Sequence, residues 1–270
     1  MANDVPESEA LKISNESGVF SVTLNRPEIH NAFDDKLIQS LIASFMKLSE
    51  LDECKIIVLQ SAGKHFCAGA DLNWMKRMAG LSYEENVEDA NRLARLMQTL
   101  YFCKKPVIAK VQGAAYGGAV GLIACCDIAI AGENARFCLS EVKLGLAPAV
   151  ISPFVINTIG ARKAAYYFLT ADVFDANQAK EAELVHEVSP DEQLDEKLRE
   201  TVEKLLANGP EALRASKALI REYNAPAFND ALFRFTSELI ARLRVSQEGQ
   251  EGMSAFFGKR KPAWKTASTA

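Results

Sequence analysis

The chain is poor in the residues from which many reactive sites are built. It has only three histidines, His30, His65 and His186, and they lie far apart. Its six cysteines, Cys54, Cys67, Cys103, Cys125, Cys126 and Cys138, contain no CxxC pair. Tetrahedral zinc sites need chelating pairs, so no metal centre is expected. The thiols read instead as small buried hydrophobes in a reducing compartment. There is no GxGxxG and no P-loop, which removes the two commonest nucleotide-phosphate cradles. There is no GxSxG, and no histidine stands beside a serine or cysteine in a familiar nucleophile pattern. Positive charge is not in excess: 31 Lys and Arg face 35 Asp and Glu, for a net charge of −4. A nucleic-acid partner is therefore not expected, because phosphates are neutralised by a basic balance. The most apolar stretch, residues 114–131, is broken by Gly117, Gly118, Gly121 and Asp127, so it does not read as a membrane span. The opening MANDVPESEA has neither the basic nor the apolar region of a signal peptide. A soluble, cytoplasmic protein is expected.

What the chain does have is an ordinary globular composition, 49% hydrophobic and 24% charged over 270 residues. A chain of this length buries roughly three quarters of its unfolded surface without staples. Short apolar runs predict strands over 18–24, 55–60, 107–111 and 127–131. Leu37, Ile38, Leu41, Ile42, Phe45 and Leu48 recur at helical spacing within 34–50. Residues 82–102 form the clearest helix, opened by the capping-box pair Ser82 and Glu85. Alternating strand, helix and loop argues for an α/β layered core. Beyond about residue 149 the pattern turns helical, with helices expected over 191–207, 211–223 and 228–245. The expected division is an α/β core over 1–190 and a helical region over 191–270.

Two glycine-containing loops each follow a strand and lead into a helix: residues 65–72, HFCAGADL, and residues 112–121, QGAAYGGAVG. Such loops place unpaired N–H groups at the positive end of a helix dipole. Close packing of helix on strand explains the same glycines, and spacing alone favours that blander account. Among the carboxylates after the second loop, Asp127, Glu133 and Glu141, the last sits in an apolar setting before a Gly/Pro-rich turn. Desolvation there would raise its pKa and suit it to proton transfer. A capping role, or an ion pair with Lys143 or Arg136, fits the sequence equally well.

These segments, taken together and in order, resemble the crotonase (enoyl-CoA hydratase/isomerase) superfamily. Residues 66–72, FCAGADL, resemble its first oxyanion-hole loop, and residues 113–130, GAAYGGAVGLIACCDIAI, its second. Residues 137–145 resemble the segment that carries its catalytic glutamate. Asn25-Arg26-Pro27 with Asn31-Ala32 resembles its first CoA-contacting turn, and residues 251–262, EGMSAFFGKRKP, its C-terminal end. The resemblance implies a spiral of ββα repeats with a C-terminal helical trimerisation region, assembled as homotrimers or homohexamers. It implies an acyl-CoA substrate and no further cofactor. Two backbone N–H groups, placed by position at Ala68 and Gly118, would polarise the thioester carbonyl. A preorganised donor of this kind is worth roughly 3–4 kcal/mol. CoA would be held around Ala68, Gly69, Ala70, Asp71 and Gly118. Tyr116 is expected in the acyl pocket or the core. Phe256, Phe257 and Lys259 either reach CoA or belong to a solvated terminal helix.

One departure stands out. The two-carboxylate hydratases of the family carry a second glutamate at the position occupied here by Gly121. Only Glu141 is retained, so it would act as both general acid and base, or a substrate carboxylate or hydroxyl would take the second role. The runs 115–121 and 146–153 resemble the hydratases of leucine and acyclic-terpene breakdown, which act on 3-methylglutaconyl-CoA-like or γ-carboxygeranoyl-CoA-like substrates. Reversible hydration of a branched α,β-unsaturated acyl-CoA is therefore expected. A Δ3,Δ2-enoyl-CoA isomerase, which needs one carboxylate, is the first alternative. A non-catalytic acyl-CoA-binding protein is the second.

Overall fold

The computed structural model describes residues 5–224 and 228–265. It opens with a hairpin, β1 (Leu11–Glu16) and β2 (Val19–Leu24), turned by Ser17 and Gly18, both at positive φ. The sequence reading missed β1, because only Leu11 of LKISNE is buried. In β2 the buried residues Phe20, Val22 and Leu24 alternate with partly exposed ones, as in a strand with one covered face. α1 (Asp35–Glu50) follows, capped by Asp34, whose Oδ1 accepts from the Leu37 amide at 2.9 Å. Next come β3 (Ile56–Ser61), α2 (Leu72–Ala79) and α3 (Tyr83–Tyr101). The capping box at Ser82 and Glu85 is formed in both directions, at 3.2 and 2.8 Å.

The next three turns of chain explain the architecture. β4 (Val107–Val111) is followed by β5 (Ala114–Tyr116) and α4 (Gly118–Cys125). β6 (Ile128–Gly132) is followed by β7 (Arg136–Cys138), a 3-10 turn (Glu141–Leu144) and α5 (Ser152–Thr170). β8 (Phe174–Asp175), α6 (Ala176–Glu181) and β9 (Glu187–Ser189) complete the series. Successive short strands feed two different sheets. The larger sheet has the order β1-β2-β3-β4-β6-β9 and is parallel from β2 onward. The smaller has the order β5-β7-β8, and Cys67 extends it by bridging to Ala115. Each ββα turn thus stacks on the last. The loops at 68–70, 116–118 and 138–141 are brought together as a consequence.

The helical remainder is α7 (Leu194–Leu206), α8 (Pro210–Asn224), α9 (Asp230–Val245) and α10 (Gln247–Phe257). It does not stand apart from the core. Asp127 accepts from Lys217 Nζ at 2.6 Å and Arg221 Nη2 at 2.8 Å, tying α8 to the β4–β6 edge. α9 lies along α3, and α10 packs on the 3-10 turn of Glu141. Among the described residues no helix is long and apolar enough to cross a membrane.

Candidate active site

The first loop is held by a buried clamp. Asn31 accepts from the Arg26 amide at 2.8 Å and donates through Nδ2 to the carbonyls of Ala62 and His65 at 2.7 and 2.8 Å. Arg26 bridges Asp34 and Asp71. The turn expected to contact CoA is therefore also the brace of the loop. Asp71 caps α2, its Oδ1 accepting from Asn73 and Trp74 at 2.8 and 3.1 Å. Its carboxylate is thus committed within the protein, and Asp71 lies outside the cavity lining. It braces the loop from outside the cavity lining.

The cavity has a volume of about 450 Å³ and is bounded by this loop, the start of α4, the Glu141 turn, residues 146–151 and helices α9 and α10. Ala68, Gly69, Ala70, Tyr116, Gly118 and Glu141 all line it. Of the C-terminal residues, Phe256 lines it, whereas Phe257 and Lys259 do not. Phe257 lies instead under Lys76, whose Nζ is 5.6 Å from its ring centre.

The two expected backbone donors fare differently. The Ala68 N–H is taken by the His30 carbonyl at 3.0 Å, so it is not free for a substrate. This corrects the placement of the first donor. The N–H of Ala70, two residues on, makes no hydrogen bond to any described residue. The reason is local: the chain at 69–71 pairs with Phe33 through the Gly69 carbonyl and the Asp71 amide, at 2.9 Å each, leaving the intervening amide out. The Gly118 N–H is also open, as expected for the first residue of a helix. Gly117 before it has φ 56° and ψ −123°, a conformation that a side chain would strain.

Glu141 resolves the ambiguity left by the sequence. Lys143 Nζ donates to the Ala171 carbonyl at 2.6 Å, and Arg136 to the Ala135 carbonyl at 2.8 Å, so neither pairs with it. Its side chain caps no helix, and Oε2 is buried with no hydrogen-bond partner. Burial pushes its carboxyl from 4.5 up to about 7, opposed only by its own backbone amide. Asp127 is tied up with α8, and Glu133 is exposed. Burial likewise pushes the Cys67 thiol up to about 12, which keeps it a neutral packing group.

Gly121 is not an empty slot. A Cβ there would lie 2.7 Å from Cβ of Ile151 and 3.3 Å from Sδ of Met97. The wall where a second acid would stand is thus filled with hydrocarbon. The sequence reading missed Ile151, Gly252 and Met253 of α10, and Arg244 of α9, which also line the cavity. Neighbouring sequence carries no signal for these contacts.

Known proteins place this geometry. The family model described as enoyl-CoA hydratase/isomerase matches residues 14–267. The 2,3-dehydroadipyl-CoA hydratase of Escherichia coli is 32% identical, over 94% of this chain and 98% of its own. The crystal structure of an enoyl-CoA hydratase from Shewanella pealeana is 46% identical over 97% of each chain, with a TM-score of 0.79. That of an enoyl-CoA hydratase from Mycobacterium avium is 35% identical over 96% of this chain and all of its own, with a TM-score of 0.85.

Proposed function

The chain belongs to the enoyl-CoA hydratase/isomerase family, and from that premise we propose that it adds water reversibly to a branched α,β-unsaturated acyl-CoA. The observation that carries this reading is an unpaired, desolvated Glu141 in one cavity with two open backbone amides. The N–H groups of Ala70 and Gly118 receive the thioester oxygen and stabilise the enolate. Ionised Glu141 holds a water and takes one of its protons as oxygen bonds to C3. The protonated carboxyl then delivers that proton to C2. Both proton transfers fall to one group, and a pKa near 7 makes it competent as base and as acid near neutrality.

A second reading has its own support. Ile151 fills the space beside Gly121, and among the described residues Glu141 is the one carboxylate that lines the cavity. One base that removes a proton at C2 and returns it at C4 is enough for Δ3,Δ2 isomerisation. Turnover in ¹⁸O-water separates the two: label at C3 supports hydration, and a shifted double bond without label supports isomerisation. Glu141→Gln should abolish either. We also propose self-assembly as a trimer or hexamer, supported by Leu219, Ile220 and Tyr223, which lie exposed on α8.

A further inference from the structure

The cavity contains a buried cation with donors to spare. Among the charged side chains that line it, Lys143 is committed to the Ala171 carbonyl, and Arg260 forms a two-pronged pair with Glu251. Arg244 differs. It is only 6% exposed, and it lines the cavity from the last turn of α9. Its hydrogen bonds all leave from one nitrogen: Nη1 donates to Asp89 Oδ2 at 3.0 Å and to Asn86 Oδ1 at 3.3 Å. Nε and Nη2, with three N–H donors between them, make no hydrogen bond to any described residue.

Its neighbours do not neutralise it fully. Asp89 is shared: Oδ1 accepts from Trp74 Nε1 at 3.1 Å and lies 3.6 Å from Arg92 Nη2. Asn86 spends its own donors on the carbonyls of Met78, Leu81 and Ser82. The network fixes Arg244 by one prong and leaves its other edge open. The surrounding surface is apolar, formed by Leu93, Ala149, Val150 and Ile240. An anchored guanidinium with a free planar edge, facing a cavity with apolar walls, is matched by a carboxylate that takes both N–H groups of that edge.

We propose that Arg244 is a substrate-binding residue that receives, through Nε and Nη2, a carboxylate carried on the acyl group. The enzyme is thereby selective for acidic acyl-CoA thioesters over neutral ones of equal length. This rests on the reading of the cavity as an acyl-CoA site, though not on which reaction occurs there.

Binding of two saturated esters, glutaryl-CoA and valeryl-CoA, tests it without any turnover. Their acyl chains have the same number of carbons, and only one ends in a carboxylate. Calorimetry on the wild type should give glutaryl-CoA at least about tenfold tighter, as one charge-assisted pair in a desolvated site predicts. In Arg244→Gln the ratio of the two affinities should collapse toward one, and Arg244→Lys should restore part of it. A ratio is read because the substitution also disturbs Asp89; damage to folding alone would weaken both esters together. Equal affinities in the wild type, or a ratio unchanged in Arg244→Gln, would overturn the proposal while leaving the acyl-CoA site standing. Failure of both esters to bind would overturn the acyl-CoA reading, and this proposal with it.

Discussion

Replacing Glu141 with Gln should remove activity and stabilise the protein, with a pH dependence that identifies the cause. In the unfolded chain this glutamate ionises near 4.5, and in the folded protein near 7, because burial strips water from its charge. Between those values the folded protein keeps a proton that the unfolded chain has released. Rising pH therefore favours unfolding of the wild type, and glutamine, which does not titrate, is spared. The cost of holding Glu141 in place works out at about 1 kcal/mol at pH 5 and about 3 kcal/mol at pH 8. The advantage of the variant should thus grow by about 2–3 kcal/mol across that range, or about 5–10 °C in Tm for a chain of this size. Melting both proteins at pH 5 and pH 8 measures this directly, and other titrating groups cancel in the difference. Hydration of an acidic enoyl-CoA should meanwhile fall by at least about 100-fold. A Tm gap that stays constant or shrinks from pH 5 to pH 8 would refute the claim that Glu141 is desolvated and unpaired. Retained hydration would refute its role in the chemistry.

In the wild type, kcat/KM for hydration should rise with pH through about 7 as Glu141 ionises, and a flat profile from pH 6 to 8 would contradict that assignment. Asp71→Ala should lower Tm through loss of the α2 cap and the Arg26 bridge, about 0.5–2 kcal/mol for the cap alone, and should lower kcat because the Ala70 amide drifts. Gly117→Ala forces a side chain into φ 56° and ψ −123°, with its Cβ 3.4 Å from Glu141 Oε1. The strain is about 1–3 kcal/mol, and steady-state kinetics should show kcat falling more than KM rises. Gly121→Glu should destabilise the protein by about 1–3 kcal/mol through overpacking, and Ile151→Ala in the same chain should recover part of the loss in a double-mutant cycle.

Periodicity made the long elements legible. The helix beginning after Ser82 was marked by its capping box and its apolar face, and both are formed. β4 was legible because five buried or nearly buried residues in a row leave little alternative. The strands of the smaller sheet were not: β5, β7 and β8 are only two or three residues long, and their pairing is set by the stacking of successive ββα turns. The backbone donors were harder still. Motif position pointed to Ala68, but availability depends on which carbonyl lies nearby, and the His30 carbonyl takes that amide. Glu141 was legible as an acid in apolar surroundings. Its freedom from Lys143 and Arg136 was not, because those side chains turn to the carbonyls of Ala171 and Ala135.

Gly121 shows how a missing residue can mislead when read alone. In sequence it is a gap where an acid would stand. In three dimensions it is half of a packed pair, since the space its side chain would need is taken by Ile151, which is 2% exposed and belongs to the cavity wall. Close packing makes the two positions interdependent: glycine admits the branched side chain, and the branched side chain excludes anything larger than glycine. The loss of the second carboxylate is therefore built into the wall, which now offers hydrocarbon to the acyl group. Two of the charged groups that line the cavity, Glu141 and Arg244, have opposite tasks in the proposed reaction. Glu141 is kept uncompensated so that it can exchange a proton near neutrality, and Arg244 is braced by Asp89 on one edge so that the other stays open. Arg244 and the Oε2 atom of Glu141 are buried, and each side chain is short of partners among the described residues. In the proposed reaction the missing partner of each arrives with the substrate.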